Sequence, residues 1–268
     1  MRLKAAWMLL ACAAGLASAG QAAGPAELGV DQIVERNIAA RGGLEAWHKV
    51  QTMVWAGHIE SPDSPAPSLP FVLEMKRPNK TRFEISALGQ KSVRAFDGRD
   101  GWKSRAGGAG RPAVQPFTAD ELSYSRDEPG IDGMLIDYRA DGTEIALAGI
   151  EEVDGRKAYR LDLKLRSGAS RRVWIDAQSF LEVKADRETR SAAGGSGRVA
   201  IAYRNYRSID GLQIPLMIET GLDSGKPTDK MVIERVAVNP PLPERAFTRP
   251  APSGRERMRG VDAAAAAH

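Results

Sequence analysis

The chain has 268 residues, a formal charge of +4, three histidines and one cysteine. Charge so mild and so interspersed offers no basic patch for nucleic acid, and a lone cysteine excludes an internal disulfide or a cysteine cage for a metal. Beyond residue 19 no stretch approaches the ~18 apolar residues of a membrane-spanning helix.

Residues 1–19 read as a secretory signal peptide, with Arg2 and Lys4 as the basic start, an apolar stretch over 5–16, and Ala17-Ser18-Ala19 as a small-residue cleavage site. Cleavage there removes Cys12 and leaves a mature chain without a thiol. The rival reading is a lipoprotein anchored at Cys12, since Leu9-Leu10-Ala11-Cys12 loosely matches the box before a lipid-modified cysteine. Export to a bacterial periplasm is the expected address. Residues 20–250 suit one large β-domain, and 251–268, Arg-rich then Ala-rich, are expected to be a disordered tail.

Asp31 is placed to cap a short helix whose Ile33, Val34 and Ile38 share a face, with Gly42-Gly43 ending it. Leu44, Trp47 and Val50 suggest one or two further turns. From Gln51 the period becomes two, with Met53, Trp55, Gly57 and Ile59 on one side of a first strand. Four prolines between 61 and 70 mark a loop. Phe71, Leu73 and Met75 resume the alternation; Arg77-Pro78-Asn79-Lys80 turns the chain, and Phe83 and Ile85 return. Short strands are expected around Val93 to Phe96 and around Trp102, followed by an exposed Gly-rich stretch over 106–110.

Thr118 and Glu121 have the spacing of a capping box, which predicts a helix to about Asp127, stopped before Pro129. This helix, with Leu122, is expected to lay its apolar residues on the concave face of the sheet as a lid. Residues 131–138 read as irregular or as a short helix, with Met134, Leu135 and Ile136 seeking burial. The second half alternates cleanly: Ile145 and Leu147; Tyr159, Leu161, Leu163 and Leu165; Val173 and Ile175; Leu181 and Val183; Ile201 and Tyr203; Leu212, Ile214, Leu216 and Ile218; then Met231 to Val238. Six Asp-Gly pairs, at Asp97, Asp100, Asp132, Asp141, Asp154 and Asp210, supply the positive-φ positions of tight hairpin turns. The sum is a mainly β (α+β) antiparallel meander. One face meets water, and the other must be covered by the few helices or by a bound molecule.

Little of this carries reaction chemistry. His48 and His58 fall on different elements with no ligand pattern beside them, so no metal is expected. No Gly-x-Ser-x-Gly elbow occurs. Gly194-Gly195-Ser196-Gly197 lacks the lysine and helix of a phosphate loop and reads as a hairpin connection. No cofactor is called for. The apolar residues Trp55, Phe71, Leu73, Met75, Phe83, Ile85, Trp102, Leu122, Met134, Leu161, Leu163, Val173 and Ile175 either line a ligand cavity or fill a core, and alternation alone does not separate the two.

Several segments together resemble the LolA-like superfamily of periplasmic lipoprotein carriers, most of all its divergent members described as outer-membrane lipoprotein-sorting proteins. They are residues 37–44 (Asn-Ile-Ala-Ala-Arg-Gly-Gly-Leu), Arg77-Pro78-Asn79-Lys80, Phe96-Asp97-Gly98 with Trp102, Val153-Asp154-Gly155-Arg156 with Tyr159, Asp176-Ala177 with Leu181-Glu182-Val183, and Asp210-Gly211-Leu212-Gln213-Ile214-Pro215. The resemblance implies a strongly curved antiparallel sheet forming a half-open barrel, with helices packed in its concave mouth over a cavity for acyl chains. It also implies a non-enzymatic carrier of a lipid or lipoprotein, with donor and acceptor proteins in the envelope and transient membrane contact. Two other readings use the same scaffold: an envelope sensor that binds a partner protein, and a cofactor-free enzyme that relies on cavity shape.

Overall fold

The computed structural model of the protein describes residues 28–62, 64, 66–105, 113–190, 196–222 and 227–251. The expected signal with Cys12, the Gly-rich stretch 106–110, Gly194-Gly195 and the tail from 252 onward lie outside the described residues.

Helix α1 (Val30–Ala40) begins two residues earlier than its sequence suggests. Gly29 is its cap, and the Gln32 side chain turns back to accept the Gly29 N–H at 3.0 Å. Asp31 therefore sits in the first turn, where its carboxylate faces the positive end of the helix and accepts from the Tyr138 hydroxyl. Helix α2 (Leu44–His48) follows a sharp reversal at Gly42, whose φ is +117°. A side chain there would meet the Gly211 carbonyl at 2.5 Å, so only glycine lets the two backbones touch.

Strands β1 (Thr52–Glu60), β2 (Leu69–Lys76), β3 (Lys80–Ala87), β4 (Gln90–Phe96), β5 (Gly101–Arg105) and β6 (Ala113–Pro116) form a first meander. Helix α3 (Ala119–Asp127) and a series of turns over 131–142 lead to the second: β7 (Glu144–Val153), β8 (Arg156–Lys164), β9 (Ser170–Asp176), β10 (Glu182–Arg190), β11 (Ser196–Ile209), β12 (Leu212–Leu222) and β13 (Pro227–Val238). All thirteen strands make one curved antiparallel sheet, ordered β6-β5-β4-β3-β2-β1-β13-β12-β11-β10-β9-β8-β7. The meanders join where β1 pairs with β13, from Met53 opposite Val238 to Glu60 opposite Lys230. Because β6 and β7 each keep an unpaired side, the sheet is a half-open barrel and not a closed one.

Of the six Asp-Gly pairs, Asp154-Gly155 and Asp210-Gly211 form two-residue hairpin turns with both φ angles positive. Asp97 closes a longer turn, its carboxylate accepting the N–H groups of Arg99 and Asp100. Gly101 answers to packing instead: a Cβ there would lie 2.0 Å from the Phe117 ring. Asp132 and Asp141 belong to the turns before β7.

Strand register divides the sheet into two faces. The inner one carries Met53, Trp55, Gly57 and Ile59 of β1 opposite Met75, Leu73, Phe71 and Leu69 of β2, and continues through Phe83 and Ile85 of β3. On the other side of the β1–β13 ladder the same face carries Leu161, Val173, Ala185, Ile201 and Ile218. The outer face is laced with ion pairs, among them Asp186 between Arg172 and Arg198, and Arg204 between Asp154 and Glu219. Past β13 the chain crosses this outer face: Glu244 takes Lys76 and Lys80, and the buried Phe247 accepts the Trp102 indole N–H through its carbonyl at 2.9 Å.

Candidate functional site

The inner face is covered unequally. Over β8, β9 and β10, α1 lays Ile33 and Val34 and the 131–142 turns lay Leu135 on Leu161, Leu163, Val173, Ile175 and Ala185, and all eight side chains are 0–4% exposed. A middle cluster joins Trp47 of α2 with Met53, Met75, Ile131, Ile136, Leu212 and Ile214. Arg77 locks this middle region: its guanidinium pairs with Asp132 and donates to the Val50 and Trp47 carbonyls.

The third cluster is different. Ile59, Phe71 and Ile233 are buried, and Trp55, Leu69, Leu73, Phe83, Ile85, Leu216, Ile218, Met231 and Val236 pack around them while each stays partly exposed. All twelve residues come from β12, β13, β1, β2 and β3, and no helix residue joins them. They form an apolar trough, with the Phe71 and Phe83 rings 5.8 Å apart at its wall. The Trp55 indole N–H, buried on this wall, has no hydrogen-bond partner among the described residues. Gly57 sits on the same side at a bulge, where a Cβ would strike the Val232 carbonyl at 1.9 Å.

Helix α3 ties strands that lie far apart in the sheet. Thr118 and Glu121 make the expected capping box. Glu121 also takes Lys103 of β5 and Arg94 of β4, both inner-face residues, at 2.9 Å. Burial acts to raise the pKa of Glu121, but hydrogen bonds from Lys103, the Thr118 backbone and Arg94 outweigh it and hold the carboxyl at about 2. At the other end Arg171 of β9 donates to the Asp127 carbonyl and to Glu128, both at 3.1 Å, and the Arg187 guanidinium of β10 lies 4.5 Å from the centre of the Tyr124 ring. No residue of α3 is buried. The helix therefore spans between the two meanders on polar ties, in place of the apolar packing its sequence suggests.

A polar group of side chains borders the trough. Tyr203 stands opposite Ile218 in register, and burial pushes its phenol well above the ordinary range; Glu182 and Glu128 act in the same sense, and Arg171 and Arg41 oppose them. Arg41 and Glu182, both buried, approach to 4.0 Å.

The candidate residues separate accordingly. Trp55, Phe71, Leu73, Phe83 and Ile85 stand together in the trough. Met75 belongs to the covered middle cluster. Leu161, Leu163, Val173 and Ile175 share the inner face but are sealed beneath α1, with Met134 packed on the same cluster. Leu122 is half-buried on α3. Trp102 does not line the trough at all: it pairs with Ala95, which pairs with Arg82, and this row points to the outer face under Phe247. Ile59, Leu69, Leu216, Ile218, Met231, Ile233 and Val236 complete the trough and were not among the candidates. Their alternation was visible, and the register that unites them was not.

Elsewhere the chemistry is ordinary. His48 pairs with Asp137 at 2.7 Å and His58 with Glu234 at 2.8 Å, and no group of three His, Cys, Asp or Glu among the described residues is placed to hold a metal. A crevice of about 820 Å³ opens between the 77–79 turn, the end of α3 and the 130–143 segment. Arg77, Asp127, Glu128, Asp141 and Arg166 in its lining suit polar contacts and not an acyl chain.

The sequence matches no protein-family model and no curated protein. Solved structures do match. A LolA superfamily protein of Nitrosomonas europaea is 19% identical, with 83% of this chain and 98% of that chain covered and a TM-score of 0.51. A DUF1329 family protein of Desulfovibrio piger is 14% identical over 82% and 97%, with a TM-score of 0.53. A domain described as an outer membrane lipoprotein-sorting protein, from Vibrio parahaemolyticus, is 12% identical over 82% and 96%, again with a TM-score of 0.53. With its single curved sheet, open edges and helices on one face, the chain has a LolA-like fold.

Proposed function

We propose that the protein is a periplasmic carrier that shelters the acyl chain of a lipid or lipoprotein in the trough of β12, β13, β1, β2 and β3. One observation carries this reading: twelve apolar side chains form a continuous wall to which no helix contributes among the described residues, nine of them partly exposed and only Trp55, Leu73, Leu216 and Val236 also packing on the cluster of Trp47, on the same face where α1 seals a neighbouring cluster to 0–4% exposure. Soluble proteins seldom leave such a surface open without a use for it. Each buried CH₂ contributes about 0.8 kcal/mol, so a dozen supply on the order of 10 kcal/mol before ordering costs. Helix α3 contributes no residue to this wall, has none of its own residues fully buried, and is held between the meanders by ion pairs and a cation–π contact, so its release would expose little apolar surface and would widen the mouth through which cargo enters and leaves.

The test is uptake of a fluorescent fatty acid by the Phe83→Glu variant. Because Phe83 is only partly buried, the variant should fold, with a far-UV spectrum like that of the parent, and should lose uptake by about tenfold or more as its charge enters the apolar wall. Unchanged uptake by the folded variant would count against this trough.

A further inference from the structure

We propose that the trough selects acyl ligands with an anionic head, a carboxylate or a phosphate, which binds at the inner-face pair Arg171 and Arg187. This inference rests on the trough as the chain site and adds the chemistry of the other end of the ligand.

Arg171 and Arg187 are neighbours in register on β9 and β10, on the face that carries the trough. Arg171 is 5% exposed. One of its nitrogens serves the Asp127 carbonyl and Glu128, while its Nε is buried and has no partner among the described residues. Arg187 is half-buried, and its contact is the face of Tyr124, with no carboxylate paired to it among the described residues. Arg41 nearby is matched by Glu182. The group thus holds three guanidinium ions and two carboxylates, and the excess positive charge sits on the Arg171–Arg187 side.

An uncompensated charge at an apolar wall is costly, and the unpartnered Nε–H of Arg171 can donate one charge-assisted hydrogen bond to an oxyanion while the Arg187 guanidinium beside it supplies another. Tyr203 connects the two parts of the site. It pairs with Ile218 of the trough and packs on the cluster of Leu163 and Ala185, of which Leu163 stands opposite Arg171 in register, so the proposed chain runs from the trough past Tyr203 with its head toward the arginines. The anion would meet Arg171 where Glu128, itself tied to the end of α3, already binds.

Parinaric acid and its methyl ester share one chain and differ in head charge, so fluorescence titration of the full-length protein with each isolates the head. The acid is expected to bind about tenfold tighter than the ester at neutral pH. Arg187→Met should bring that ratio close to one and leave the ester's affinity unchanged. Arg171→Met, which also releases Glu128, should do the same. Displacement of the acid by lysophosphatidic acid at concentrations similar to those of oleate would extend the site to phosphate heads, whereas oleate alone competing would restrict it to carboxylates; both outcomes support the anion site. Equal affinity for acid and ester in the unchanged protein overturns it and leaves the trough intact. Failure of both probes to bind overturns the trough and this inference together.

Discussion

The covered and open parts of the inner face are built from the same material. Both are rows of Leu, Ile, Val and aromatic residues on alternate positions of antiparallel strands. Over β8–β10 the wall meets α1 and the 131–142 turns and disappears from solvent. At the Ile59, Phe71 and Ile233 end of β12, β13 and β1–β3 no helix residue joins the cluster among the described residues, and nine of its twelve residues keep part of their surface in water. The strands alone do not decide which part becomes core and which becomes a site; the element that lands on them does.

The largest effect should come from comparing one truncation on each side. Leu161→Ala, at a position with no exposure, is expected to cost about 3 kcal/mol, read from the urea midpoint, because the well-packed wall cannot collapse around the gap. Leu73→Ala, in the partly exposed trough, should cost about 1 kcal/mol, since less surface was withdrawn from water. Equal losses would mean that the trough is as tightly filled as the covered side, and the contrast would fail.

A smaller effect sharpens the role of α3, which bridges the two parts. The carboxyl of Glu121 is held below its ordinary value near 4.5, so its contribution to stability is complete above that pH and is lost as pH falls toward 2. After solvent screening this amounts to about 1 kcal/mol. Glu121→Gln should be less stable by that amount at pH 6, and its acid-unfolding curve should converge with the parent's near pH 2. Parallel curves would show that the Arg94 and Lys103 ties do not hold the helix.

The smallest effect concerns the hairpins. Asp154-Gly155 on the covered side and Leu88-Gly89 on the open side are both two-residue turns with positive φ, but Leu88, at +49° and 80% exposed, is an unsuitable residue for that conformation. Leu88→Asn should raise stability by about 0.5 kcal/mol in thermal unfolding, with ligand uptake unchanged. A loss of uptake would mean that the β3–β4 turn belongs to the site.

Much of the fold could be read from the residues. Alternation in β1, β2, β3, β8 and β9 assigned the inner positions correctly, and Thr118 with Glu121 marked α3. The misreadings have separate physical causes. Trp102 changes face because its orientation depends on register carried through two hairpins, β3–β4 and β4–β5, which no local pattern states. Leu161, Leu163, Val173 and Ile175 point inward as their alternation implies, but the covering by α1 is a tertiary event. In β13 the extra residue opposite the Ala56/Gly57 bulge breaks the alternation between Ile233 and Val236, so the strand's part in the trough reads poorly. The packing of α3 was misread because its charges, Glu121 above all, find inner-face partners from strands distant in sequence.

The β1–β13 ladder has a consequence for assembly. Every other pairing in the sheet links strands adjacent in the chain, and closing such short loops is quick; this one must bring the first strand to the last. The trough straddles that seam, with Trp55 and Ile59 contributed from one bank and Met231 and Ile233 from the other. Each meander by itself owns only half of this apolar surface, and the complete surface exists only once the β1–β13 ladder has closed.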